Sequence, residues 1–223
     1  MPVAIPAVPV RAPPRYNLRY EPTSALEKTM PKQTTAEQLT ITAWVNNLAA
    51  LNERDFTLET VQDYIVNHHI RPETLDKYLF FSKGSYTRNL IFKNQLFECM
   101  AICWEVGQAS RVHNHRDQNC WMAVPIGKLL VENYRVVFED SAAGTCKLET
   151  ADTVEMNPSD PCAVDPKQPV HRVLNPRHFA ERAVSLHVYS RPFDTCVVYS
   201  PENGTCGEIK LHFNTRFGKA VQD

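Results

Sequence analysis

From Gly84 onward the chain runs as a succession of short segments rich in β-branched, aromatic and sulfur-bearing side chains: Tyr86–Phe92, Leu96–Trp104, Trp121–Val124, Leu129–Phe138, Cys146–Met156, His171–Leu174, Ala183–Tyr189, Cys196–Tyr199 and Glu208–Phe213. Turn residues separate most of them, as in Ser141-Ala-Ala-Gly144 and Pro201-Glu-Asn-Gly204. No helical pattern intervenes. Strands that follow one another without crossover helices do not build a parallel α/β sheet, so the pattern confines the chain to a sandwich or a barrel of mainly antiparallel strands.

The part before Gly84 is of a different kind. Residues 1–32 are Pro-rich and poor in periodic apolar residues, and an extended arm is expected because they bury too little surface to offset ordering entropy. Thr34 and Thr35, with Glu37 and Gln38 three residues on, offer a capping box ahead of Ile41, Trp44, Val45, Leu48 and Leu51 at helical spacing. Thr57 opens a second helix with Leu58, Val61, Tyr64 and Ile65 on one face, and Pro72 a short third one reaching Leu79. Residues 33–223 are expected to form one domain with these helices at its N-terminal end.

A formal net charge of −1 provides no field to attract nucleic acid or an anionic membrane surface, and no segment carries a Lys/Arg cluster. No apolar run approaches the ~20 residues that cross a bilayer. Five prolines among the first twenty residues interrupt any signal-peptide core or amphipathic transit helix, so a cytoplasmic location is expected, with the chain a monomer. The seven cysteines are odd in number and unevenly spaced, which suits free thiols in a reducing compartment better than a disulfide framework.

The chemistry gathers between Gly107 and Gly127. His113 and His115 stand one residue apart, and in a strand residues i and i+2 project from one face, so the pair delivers two imidazoles to one point. A third, His171, lies in a later β-rich segment. Three neutral imidazoles leave coordination positions open, as a catalytic metal site requires. Where a carboxylate would commonly add a fourth ligand stands Cys120. Without that acid the site is more positive by one charge, which suits an anionic substrate that itself binds the metal; a thiolate there can alternatively serve as a soft fourth ligand favouring zinc.

Gly107-x5-His113-x-His115-x4-Cys120-x6-Gly127 resembles the first cupin motif, with cysteine in place of the usual glutamate, and Pro166-x-Gln168-x2-His171-x3-Asn175 resembles the second, with Gln168 in place of glycine. Adding Ser85-Tyr86-Thr-Arg88-Asn-Leu90, Cys103-Trp104 and the stretch from Ala183 to Cys196, the chain from about Asn46 to Lys219 is similar to the cysteine dioxygenases. The resemblance implies an all-β cupin, an antiparallel β-barrel or jelly roll, with N-terminal α-helices. It also implies Fe(II) on His113, His115 and His171, with L-cysteine and O2 as substrates and cysteine sulfinate as product.

By the same resemblance, Arg88 would bind the substrate carboxylate, since its planar fork suits a carboxylate better than a lysine does, and Tyr86 would lie beside it. Ser185, His187 and Tyr189 alternate with Leu186 and Val188 and so share one strand face, where they would form a polar relay to the metal. In animal members the cysteine matching Cys120 is joined by a thioether to the tyrosine matching Tyr189, giving a Cys–Tyr cofactor. Trp104 and Cys196 are further candidates for the pocket wall. The chain departs from the family pattern at Ser190-Arg191-Pro192, where many members have Ser-Pro-Pro, and at Asn119, where animal enzymes often have histidine. Two other readings remain open on the residues alone: the same chemistry on 3-mercaptopropionate, and a non-catalytic metal-binding cupin.

Overall fold

The computed structural model describes residues 36–158, 161–163 and 170–221. The expected arm over 1–32, Thr34 and Thr35, and the Pro166 and Gln168 positions of the second motif lie outside these residues. In chain order the elements are β1 (Glu37–Leu39), α1 (Ile41–Ala49), α2 (Leu58–Asn67), β2 (His68–Ile70), a 3-10 helix (Pro72–Tyr78), β3 (Thr87–Lys93), β4 (Glu98–Trp104), β5 (Val112–His113), β6 (Asn119–Ile126), β7 (Leu129–Asp140), β8 (Thr145–Met156), β9 (Cys162–Ala163), β10 (Val170–Leu174), β11 (Ala183–Ser190), β12 (Thr195–Ser200), β13 (Thr205–Lys210), β14 (Thr215–Arg216) and β15 (Lys219–Ala220).

Two layers of strands form the body. One is a sheet in the order β15-β14-β3-β4-β11-β6-β9, antiparallel except where β14 runs parallel to β3; the other closes on itself in the order β10-β5-β12-β13-β8-β7. Helices α1 and α2 cover the outer face of the first sheet. Ile41, Trp44, Val45 and Leu48 of α1 pack with Cys99, Ala101 and Cys103 of β4 and Val184, Leu186 and Val188 of β11. Burial of such side chains contributes roughly 1.5–3 kcal/mol each. The alternate residues Met100, Ile102 and Trp104 of β4, Cys120, Met122 and Val124 of β6 and Tyr189 of β11 face inward in a second apolar cluster. Strands β4 and β11 are therefore buried on both faces, which explains their nearly continuous apolar character.

The mainly antiparallel architecture with N-terminal helices agrees with the expectation, with local corrections. The first helix does not start from a box on Thr34 or Thr35: Glu37–Leu39 pairs in parallel with His68–Ile70, and the helix begins at Ile41 with Thr40 as its cap, the hydroxyl accepting from Ala43 N at 3.1 Å. Thr40 is the residue whose extended backbone leaves its side chain free to bond the first turn. Leu51 falls beyond the helix end, and the segment from Pro72 is 3-10 rather than α-helical. The final long strand is Thr205–Lys210 rather than Glu208–Phe213; its side chains are mostly exposed, so hydrophobic alternation marks it poorly.

Candidate active site

The two cupin-like stretches meet through their backbones. Gly107 N donates to Asn175 O at 2.7 Å and Asn175 N donates to Gln108 O at 2.8 Å, so the start of the first motif is tied to the end of the second. Gly127 closes the first motif at φ +70°, where a Cβ would stand 2.4 Å from the Arg182 carbonyl oxygen, and only glycine fits. Between these anchors, β5 runs antiparallel to β10 with His113 directly opposite His171.

His115 does not share the strand with His113, as simple alternation would have it. Strand β5 ends at His113, and His115 lies in the turn that follows, next to Arg116 and Asp117 at positive φ. The turn nevertheless folds His115 back to its partners: ring centroids are 5.3 Å apart for His113 and His115, 4.9 Å for His113 and His171, and 4.7 Å for His115 and His171. One nitrogen from each lies within 4.8 Å of the others.

These imidazoles fit a metal ion. His115 and His171 are buried, and neither ring nitrogen of either one has a hydrogen-bond partner. His113 Nδ1 is 2.8 Å from Arg111 O, so it carries the proton and leaves Nε2 with its lone pair. Burial drives the His113 value down to about 4, against 6.5 ordinarily, and holds His115 and His171 well below the usual imidazole range, with their neighbours adding to the effect. All three are thus neutral and able to donate lone pairs near neutral pH. No carboxylate or thiol joins this group among the described residues, and the site is a three-histidine one.

A cavity of about 550 Å³ opens onto it, lined by His113 and His115 and by Tyr86, Arg88, Trp104, His187, Tyr189 and Cys196 among others. Arg88 enters from β3. Its guanidinium lies 5.4 Å from the Phe213 ring and Nη2 reaches the Met100 sulfur at 3.5 Å, while the buried Nη1 has no partner among the described residues. A buried guanidinium nitrogen without an acceptor is costly, and an anion in the cavity would satisfy it. Tyr86 stacks on Trp104 with centroids 4.6 Å apart, at the same cavity wall.

The three β11 side chains expected to form a relay are buried, each within hydrogen-bond distance of the next along the strand. His187 Nε2 is 2.9 Å from Ser185 Oγ, and Nδ1 is 3.0 Å from the Tyr189 hydroxyl. They are joined by a residue that sequence reasoning placed only as pocket wall: Trp104 Nε1 donates to Ser185 Oγ at 2.9 Å. An indole N–H can only donate, so Ser185 Oγ accepts from Trp104 and keeps its own proton for a further bond, to His187 Nε2 in one of the two neutral tautomers. Burial pushes His187 down to about 3, so the ring is neutral and carries one proton, which in that tautomer sits on Nδ1, facing Tyr189. With the proton there, the Tyr189 oxygen accepts from His187 and its own proton is available to the cavity. Burial, then the adjacent Cys120, holds that phenol well above its usual range.

Cys120 on β6 is the register partner of Tyr189, and Phe193 closes the ring's other side at a centroid distance of 5.0 Å. Phe193 was not singled out from sequence; it sits in a turn, where no periodicity flags it. The Ser190–Arg191 peptide is cis.

Strand order, inward alternation and a trio of converging imidazoles define a cupin whose three histidines could hold a metal ion. The cysteine dioxygenase type I family model matches residues 30–202, and the chain belongs to that family. Cysteine dioxygenase type 1 of Rattus norvegicus is 32% identical over 169 residues, covering 74% of this chain and 80% of the relative. The human protein of the same name is 30% identical over 166 residues, with the same two coverages. Among solved structures, a conserved protein with a double-stranded β-helix domain from Klebsiella pneumoniae is similar over 52% of this chain and 81% of its own, at TM-score 0.41 and 17% identity.

Proposed function

We propose that the chain is an Fe(II)-dependent thiol dioxygenase that adds both atoms of O2 to the sulfur of L-cysteine, giving cysteine sulfinate. The observation that carries this reading is the convergence of three imidazoles, one nitrogen of each within 4.8 Å of the others, with an unpartnered Arg88 nitrogen at the cavity beside them. His113, His115 and His171 would hold the iron ion, which would supply the redox chemistry for oxidising the thiol. The rest falls to the protein. Arg88 binds the substrate carboxylate, with Tyr86 beside it, and so fixes the orientation of the thiol. Tyr189, held by His187, Ser185 and Trp104, presents a phenolic proton to the substrate pocket. The near-apolar walls from Ile102, Trp104 and Phe193 limit water around the reacting sulfur.

Cys120 and Tyr189 are the pair for an internal thioether. Forming it joins Cys120 Sγ to a ring carbon of Tyr189 and removes one hydrogen from each, the two electrons passing to dioxygen. The family relatives named above are cysteine dioxygenases, which favours L-cysteine over other small thiols. Steady-state kinetics on L-cysteine and 3-mercaptopropionate test the assignment: kcat/KM is expected to be higher for cysteine, and a clear preference for 3-mercaptopropionate would overturn it.

A further inference from the structure

The β13–β8 seam is among the thinnest joints of the closed barrel. Strands β12 and β13 pair over six positions and β7 and β8 over ten, but β13 meets β8 at the single pair Thr205↔Thr145. Two backbone bonds flank that pair, Cys146 N to Gly204 O and Cys206 N to Gly144 O, both at 2.9 Å. This pattern places Cys146 and Cys206 on the same face, diagonal to each other, with a glycine opposite each. Gly144 and Gly204 contribute no side chain, so nothing stands between the two thiols. Both sulfurs belong to one small cluster with Val112, Tyr134, Val197 and Tyr199. The two thiols are close enough for Cys206 to help raise the Cys146 thiol, and Cys206 Sγ reaches the carbonyl of Thr145, the residue before Cys146, at 3.5 Å. Cys146 is buried and Cys206 half-exposed.

We infer that Cys146 and Cys206 are a reversible disulfide site, which small-molecule disulfides oxidise and which locks the β7–β8 hairpin to the β12–β13 hairpin. The exchange balances in two steps. The accessible Cys206 thiolate attacks the small disulfide, forming a mixed disulfide and releasing one thiol. Cys146 then attacks Cys206 Sγ, giving the internal disulfide and releasing the second thiol; the two protein protons leave with the two released thiols. Burial raises the Cys146 thiol, which makes Cys206 the attacking group and the second step the slower one at neutral pH. The linkage has a path to the metal end of the barrel, because Cys206 is the register partner of Tyr199, Tyr199 of Val112, and Val198 of His113.

The test uses the full chain, reduced and metal-free, incubated with cystine and then unfolded in denaturant, alkylated and digested. Cys146 and Cys206 are expected to lose alkylation together, with loss of two hydrogens in the linked peptides, full recovery in dithiothreitol and a rise of several degrees in Tm. Recovery in dithiothreitol separates this bond from a Cys120–Tyr189 thioether, which no thiol cleaves, so the two readings stand or fall independently. In Cys206→Ser, Cys146 is expected to stay alkylatable. Persistent alkylation of both cysteines in the native chain, accumulation of a mixed disulfide on Cys206 that Cys146 never resolves, or protection of Cys146 in Cys206→Ser would each overturn the proposal.

Discussion

Cys120 and Tyr189 stand opposite each other across the β6–β11 pair, one from each side of a buried antiparallel register. Directly opposed residues in such a pair hold their Cβ atoms about 4.5–5.5 Å apart, on one face of the sheet. If a thioether forms, Cys120→Ser and Tyr189→Phe must each abolish it. Intact-mass spectra of the native chain should show a fraction lighter by two hydrogens and resistant to reductant, matched by a faster band on denaturing gels; neither variant should show it. An unchanged two-band pattern in both variants would end the cross-link idea.

Arg88 binds the substrate carboxylate in ground and transition states alike on this account. Its removal should therefore act mainly on KM. A charge-assisted hydrogen bond contributes about 1.5–3 kcal/mol, so Arg88→Ala should raise KM for cysteine roughly 10- to 100-fold with a smaller fall in kcat. Arg88→Lys should recover only part of the loss, since the ammonium lacks the planar fork. A large drop in kcat at unchanged KM would contradict the assignment.

Trp104 donates into the relay at Ser185. Trp104→Phe keeps the stack on Tyr86 but removes the indole donor, and the loss of one buried hydrogen bond, about 1 kcal/mol, should lower kcat several-fold. Ser185→Ala should act similarly. Because the two groups work through one chain, the double variant should be little worse than either single one, and full additivity of the two effects would argue that Trp104 only fills space.

Acid should destabilise the metal-free protein. His187 titrates at about 3 and His113 at about 4 when folded, both lowered by burial from 6.5. Below 6.5 the unfolded chain takes up protons that the folded chain refuses, so stability present above 6.5 is lost as pH falls toward 4 and then 3. The slope should approach ~1.4 kcal/mol per pH unit for each such histidine. Thermal melts of the metal-free chain between neutral pH and about pH 5 would show Tm falling, and less steeply in His187→Gln. A Tm that holds or rises on acidification would refute the neutral-imidazole picture.

Much of this was legible in the residues themselves. Alternation on Ala183–Tyr189 places Ser185, His187 and Tyr189 on one face because β11 has distinct neighbours on its two sides, and the structure fills both. The three histidines were equally visible. What pattern could not supply is whatever depends on strands distant in sequence: the register that sets Cys120 against Tyr189, or the bond from Trp104 to a serine on a strand far along the chain. The turn that returns His115 to the site also hides from periodicity, since Arg116 and Asp117 take left-handed conformations that their residue types seldom signal. At the N-terminal end the capping-box pattern points to Thr34 and Thr35, but residues 37–39 pair with β2 and the helix starts only after Thr40.

The most direct test of the central claim is oxygen consumption by the Fe(II)-reconstituted chain on addition of L-cysteine, read together with sulfinate formed. The account predicts uptake that matches sulfinate one for one and vanishes in His171→Ala. Tight iron binding with no oxygen uptake in the native chain would contradict it and leave a metal-binding cupin without this activity.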